Sequence, residues 1–347
     1  MGHIRIAEYK DKSIIQQFIY KYWSKGHILT ISNKLFDYIY KNEKEEKYNF
    51  LLSFDDDKKE LIGILGFIPT NHFDSEISDI SNIVWYTMWK VLKKSNNKLE
   101  GLRLLRQLSK LFPKSNFGTV GANLDTIPIY KSFRYKTGIL ENFIALNPYI
   151  EDYKIAKIKK IRNLQNLEID QDNIFITDIS EDVNNLKFEI NKLAKKYNQF
   201  KGFNYINKRY LNNPFFSYEI WMLKDQSSYS FLISRRIIYE GSSLVRIVDF
   251  IGDKSLLSNF KINLQMKLLK DSEYIEFKSY GLADELKEAG FIDITNNKEF
   301  LIPGYYDPFI FEDNIINWSI KYTEKIQFLV TGDCDQDRPN TLKNCPL

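Results

Sequence analysis

The chain has 347 residues, too long for one average domain, and its 44% hydrophobic and 27% charged composition is that of a folded protein, so wholesale disorder is excluded. Lys and Arg number 49 against 45 Asp and Glu, a net charge of +4, and no sustained basic block accompanies that small excess, which argues against a nucleic-acid binder. Both cysteines, Cys334 and Cys345, lie near the C-terminus, so a disulfide scaffold is excluded and a reducing, cytoplasmic setting is expected; His3, His27 and His72 lie too far from them in sequence to suggest a zinc site.

In chain order, residues 3–8 alternate as a strand. Asp11 and Ser13 then precede an apolar spacing that predicts a helix into Trp23. A second helix is expected near 33–42. Strands at 48–54 and 61–68 flank a short polar turn and read as a hairpin. The second of them is the longest apolar run, far below the ~20 residues of a membrane span, and no apolar signal core follows the N-terminus. A long apolar strand, 82–92, ends in the polar run 93–101, and a helix over 102–112 is closed by Pro113. A strand at 117–122, a short helix at 128–135 and a strand at 139–146 follow.

Residues 149–172 are a Lys-rich connector, expected to be partly helical. From residue 173 the order recurs. Strands are predicted at 173–178, 217–223, 229–236, 243–251 and 273–279, helices at 182–197, 255–269 and 282–289, and further strands from 298. A similar element order about 170 residues apart points to two related domains, 1–148 and 173–347.

Two segments carry chemistry. The first is Asn96-Asn97-Lys98-Leu99-Glu100-Gly101, running into Leu102-Arg103-Leu104-Leu105. A strand ending in a polar loop that opens a helix offers free backbone N–H groups and a positive dipole end, suited to a pyrophosphate, and glycine allows close approach. Lys93, Lys94, Lys98 and Arg103 add positive charge. A plain strand-to-helix connection with solvated lysines reads the same residues equally simply. The second segment, Asn123-Leu124-Asp125-Thr126-Ile127-Pro128-Ile129-Tyr130, sets an asparagine seven residues before a tyrosine, which on its own could be a core aromatic.

In that order, the two segments resemble the acyl-coenzyme A loop and the Asn/Tyr helix of GNAT-superfamily N-acyltransferases. Residues 3–147 look like one such domain and 173–310 like a divergent second copy. Leu99 replaces the family's first glycine, Asn96 its usual Arg or Gln, and Arg134-Tyr135 its Gly-Phe. The resemblance implies an α/β fold of two mixed, mainly antiparallel twisted sheets flanked by helices. It also implies acetyl-coenzyme A as acyl donor, with no metal. Its cofactor contacts would be Trp89, Val91, Asn96, Asn97, Lys98, Leu99, Glu100, Gly101, Leu102, Arg103 and Asn123, with Tyr130 protonating the leaving thiolate.

In the second copy, 252–257 lacks the loop, and the helix before Gly290-Phe291 lacks a tyrosine; an acceptor-binding role is expected for it. Arg235, Arg236 and Arg246 would bind a diphosphate there, with Tyr210, Phe215 and Phe216 stacking on a base or sugar. Those arginines read equally as partners of Asp249, Asp253 and Glu240. His72 and Asp249 are candidate catalytic groups with structural alternatives. The tail Gly332-Asp333-Cys334-Asp335-Gln336-Asp337-Arg338-Pro339 starts like a calcium loop, but Arg338 and Asn344 stand where Gly and Glu are required. It reads either as a segment that bonds substrate hydroxyls or as a solvated terminus. Tandem proteins with this tail resemble those of bacterial surface-polysaccharide pathways, which implies a nucleotide-linked amino sugar as the amine acceptor. An aminoacyl-tRNA-dependent transferase of cell-wall synthesis and a catalytically inactive ligand-binding protein are the alternatives.

Overall fold

A computed structural model describes residues 3–55, 59–93, 99–158, 174–197, 201–312, 314–322 and 327–342. The expected contacts Asn96, Asn97 and Lys98 lie outside them, as does most of the connector, residues 159–173.

The first half runs β1 (His3–Glu8), α1 (Lys12–Tyr22), α2 (Asn33–Tyr40), β2 (Lys47–Phe54), β3 (Leu61–Pro69), β4 (Ile83–Val91), α3 (Glu100–Leu111), β5 (Asn116–Val120), α4 (Ile127–Ser132), β6 (Lys136–Ile139) and β7 (Glu141–Leu146). After the connector come β8 (Phe175–Asp178), α5 (Lys187–Lys196), β9 (Glu219–Lys224), β10 (Tyr229–Tyr239), β11 (Ser242–Gly252), α6 (Ile262–Leu269), β12 (Tyr274–Tyr280), α7 (Ala283–Glu288), β13 (Ile292–Asp293), β14 (Asn317–Lys321) and β15 (Leu329–Val330). The helix expected over 255–269 is broken, because a short turn at Ser255–Ser258 stops before Lys261 re-enters in extended conformation.

One sheet has the order β1-β2-β3-β4-β5-β14-β6, the other β8-β9-β10-β11-β12-β7-β13. Every pairing in them is antiparallel except β4 with β5 and β11 with β12. The halves therefore exchange a strand. β14, from near the C-terminus, lies between β5 and β6, and β7, from the first half, lies between β12 and β13. The single strand expected over 139–146 is two strands in different sheets, divided at Leu140. Sheet membership thus changes eight residues before the expected boundary at 148. The register of an inserted strand is fixed by its apolar face, and Trp318 and Ile320 of β14 are buried in the first half's core.

α3 shows why the flanking helices sit where they do. Leu104, Leu105 and Leu108 form one buried stripe, while Arg106, Ser109 and Lys110 face solvent. That stripe packs with Leu51, Leu65, Phe67 and Val84 of the sheet, placing the start of α3 at the end of β4.

Candidate functional site

Ladder pairing between β4 and β5 ends at Trp85 and Gly118, so beyond that point the two strands part. β4 also carries a bulge here: Leu65 pairs with Trp89 but Phe67 with Tyr86, so Gly66 alone faces both Thr87 and Met88. A bulge restores side chains three apart to one face, which a regular strand cannot do. Tyr86 and Trp89 accordingly both lie with Tyr130, at centroid distances of 6.1 Å each. Gly66 is required, since a Cβ there would lie 2.7 Å from Thr87 Oγ1 and 2.9 Å from the Phe50 ring.

Between α3, α4 and this face lies a cavity of about 320 Å³, lined by Tyr86, Leu99, Leu102, Arg103, Leu105, Arg106, Ser109, Tyr130, Phe133, Tyr135 and, from the exchanged strand, Lys321. Four of the expected contacts, Leu99, Leu102, Arg103 and Tyr130, are thereby brought together. Tyr130 is 3% exposed, and among the described residues its hydroxyl has no hydrogen-bond partner. Burial, reinforced by Tyr135 and Cys334, raises its pKa well above the phenol range, so the proton stays on at neutral pH. The neighbouring phenols of Tyr86 and Tyr135 are instead bonded to each other at 2.9 Å.

The residue at the N-cap of α3 is Leu99, whose side chain makes no capping hydrogen bond. Gly101 lets the helix approach the strand: a Cβ there would stand 3.0 Å from the Trp89 indole. Glu100 turns inward and is buried, accepting from Ser53 Oγ at 2.6 Å and from Arg103 at 2.7 Å, so its role is a structural one at the helix end. Val91 is half-buried at the end of β4. Asn123 is exposed and caps the turn before α4, its Oδ1 accepting from Asp125 N at 3.0 Å.

The second half corrects several expectations. Arg236 faces no cleft; it donates to the Leu268 and Leu269 carbonyls and so closes the C-terminal end of α6. Arg235 and Arg246 are buried and pair with Asp337, Arg246 also with Glu276 at 3.2 Å, rather than with Asp249, Asp253 or Glu240. A guanidinium removed from water must be paired, and these two are buried against carboxylates of the protein itself. Tyr210 is buried, donating to Asp249 at 2.6 Å, so it offers no stacking face. Asp249 itself is fully buried and held by Lys201 at 2.7 Å. Phe216 lies under the Arg235 guanidinium at 4.1 Å. His72 is packed against Phe73 with Nε2 at 3.2 Å from the Tyr38 carbonyl, and burial lowers its pKa to about 4.

The C-terminal segment is not a solvated terminus. Thr331 to Cys334 and Asp337 are buried between the sheets. Gly332 N donates to Val248 O at 2.7 Å, at a bulge in β11 just past the last β12 pairing, and Asp333 pairs with Lys201. The thiol of Cys334 donates to Tyr86 O at 3.4 Å, and Gln336 Nε2 to Val120 O at 2.9 Å, which bridges the parted β4 and β5. Arg209 secures the strap through the Gly332 and Cys334 carbonyls at 2.6 and 2.7 Å. Sequence reasoning missed Tyr86, Phe133 and Tyr135 as parts of the cavity wall, whereas it left the tail open between a segment that bonds substrate hydroxyls and a solvated terminus. The only signal for the strap was the density of aspartates around Cys334.

Among the described residues no helix is long and apolar enough to cross a membrane, and no group of three His, Cys, Asp or Glu could hold a metal ion. No family model matches the chain, and no curated protein matches it in sequence. Among solved structures, a GCN5-related N-acetyltransferase from Anabaena variabilis matches 93% of this chain and 73% of its own, with a TM-score of 0.51 and 9% identity. A GCN5-related N-acetyltransferase from Kribbella flavida matches 92% and 71%, with a TM-score of 0.46 and 7% identity. Two mainly antiparallel sheets, each with one parallel pair that parts beside a helix, account for the first of these likenesses, and the chain has the mixed α/β fold of the GCN5-related N-acetyltransferases.

Proposed function

We propose that the chain is an acyl-coenzyme A-dependent N-acyltransferase acting on an amine. The observation that carries this reading is the cavity of about 320 Å³ beside the parted β4 and β5, with the unpartnered Tyr130 hydroxyl in its wall. Its lining fits a pantetheine arm, being mostly apolar and aromatic, with Arg106 and Lys321 on it to meet phosphates. When bound, acyl-coenzyme A supplies the acyl group as a thioester. Gly101 lets α3 approach the strand closely, which sets the start of the helix, with its positive dipole end, beside the cavity. Tyr130 keeps its proton at Oη until a leaving sulfur needs it.

For the acceptor we propose an amino sugar carried on a nucleotide. The resemblance of the tail supports this, whereas Arg235, Arg236 and Arg246 do not, since their guanidinium groups are engaged inside the protein. Release of coenzyme A thiol from acetyl-coenzyme A in the presence of nucleotide-linked amino sugars tests it; release with none of them would remove that acceptor class. A second reading, a binding protein without acyltransfer, is favoured by the buried Glu100 carboxylate, which opposes the positive end of α3. Failure to bind coenzyme A would select it.

A further inference from the structure

We propose that Asp335, on the C-terminal strap, holds the acceptor amine and takes its proton; the proposal rests on the acyltransfer reading above. The strap places two cavities back to back. Tyr86 lines the donor cavity, and its carbonyl accepts from the Cys334 thiol at 3.4 Å. On its other side Cys334 lines a cleft between the two halves, walled by Tyr38 of the first half, Arg209 and Phe215 of the second, and Asp335 of the strap. The Cys334 side chain therefore reaches from the cleft to the strand whose Tyr86 lines the donor cavity.

The enclosed part of that cleft measures about 20 Å³, the room one water-sized group needs. A primary amine on a slender carbon can enter it.

Asp335 is the strap carboxylate able to meet such a group. Asp333 is bound to Lys201, and Asp337 to Arg235 and the Tyr218 hydroxyl, all of them buried. Asp335 instead keeps partial exposure, with Oδ2 at 3.3 Å from Arg338 Nε and Oδ1 facing only the weak thiol donor of Cys334 at 3.5 Å. The other groups that sense its charge are Tyr40 of α2 and His27, which burial holds neutral at neutral pH with a pKa of about 4.

An alkylammonium cannot attack a thioester until it loses a proton, and a carboxylate within hydrogen-bond reach can take it. Balanced, the ammonium and the thioester give the amide, the free thiol and one proton. The N–C bond forms and the C–S bond breaks. One amine proton passes through Asp335 to solvent, and the other replaces the proton that Tyr130 gives to sulfur.

The test uses acetyl-coenzyme A with methylamine, a probe acceptor small enough for the cleft and charged at neutral pH. In Asp335→Asn, acetyl-coenzyme A binding and the melting temperature should be unchanged, which shows the variant to be folded. The methylamine-dependent rate should fall by roughly 10²-fold, on the scale of one general base. An unchanged methylamine rate, a lost rate that is not restored by raising the pH and with it the share of neutral methylamine, or a wild type that binds acetyl-coenzyme A yet does not acylate methylamine would overturn the proposal. A wild type that does not bind acetyl-coenzyme A would overturn the acyltransfer reading beneath it.

Discussion

In the proposed acyltransfer the chemistry turns on Tyr130, whose hydroxyl is buried, protonated and, among the described residues, without a hydrogen-bond partner, while the adjacent phenols of Tyr86 and Tyr135 bond each other. Tyr130→Phe keeps the ring stack and removes only the proton. Coenzyme A affinity should hold while the acyl-transfer rate falls by roughly 10²-fold; an equal rate in the variant would show that sulfur leaves unassisted. Arg246 has the opposite character. Its guanidinium lies between Glu276 and Asp337, both buried, so Arg246→Ala should destabilise the protein by about 3–5 kcal/mol, the scale for breaking a buried pair. A melting temperature close to wild type would contradict that burial. His72 makes a pH prediction. Burial lowers its pKa to about 4, so the unfolded chain takes up a proton first, near 6.5. Its contribution to stability is complete above pH 6.5 and is lost as the pH falls toward 4. Melting curves of His72→Gln should therefore decline less over that window than those of wild type.

Elements made of a single local pattern were legible in the sequence. The Leu104, Leu105, Leu108 stripe announces α3, and the apolar run at 83–91 announces β4, because burial against one neighbour dictates both. The bulge opposite Gly66 was not legible. It depends on pairing between two strands, and the glycine is explained only once Thr87 and Phe50 are seen against it. The break at Leu140 was hidden for the same reason, since β6 and β7 are both good strand sequence and differ only in the partner they find. Tyr130 could be read from its spacing to Asn123, but Tyr86, Phe133 and Tyr135 could not, being aromatic residues of ordinary core-like pattern. At the start of α3, Gly101→Val would push two methyl groups toward the Trp89 indole, already 3.0 Å from an added Cβ. Helix and strand should separate, so coenzyme A affinity should weaken with the fold retained; unaltered affinity would remove this contact from the site.

The two halves are one folding unit joined by exchanged strands and by the buried strap. Residues 3–147 alone would lack β14 between β5 and β6 and would carry β7 with no sheet to enter. Such a fragment exposes strand edges and should aggregate or melt without cooperativity, and a cooperative melt would show the exchange to be dispensable. The strap couples the halves further, since Arg209 binds its backbone from one side and Tyr86 and Val120 receive Cys334 and Gln336 on the other. The two sheets differ at their parallel pairs, which predicts an asymmetry in binding. The β4–β5 opening has Tyr130 and a cavity, whereas the bulge beside the β11–β12 opening is filled by the Lys201, Asp249 and Asp333 cluster, sealed by Gly332. Isothermal titration of the full chain with coenzyme A tests this most directly. The account predicts one equivalent bound per chain, and either no binding or two equivalents would contradict it.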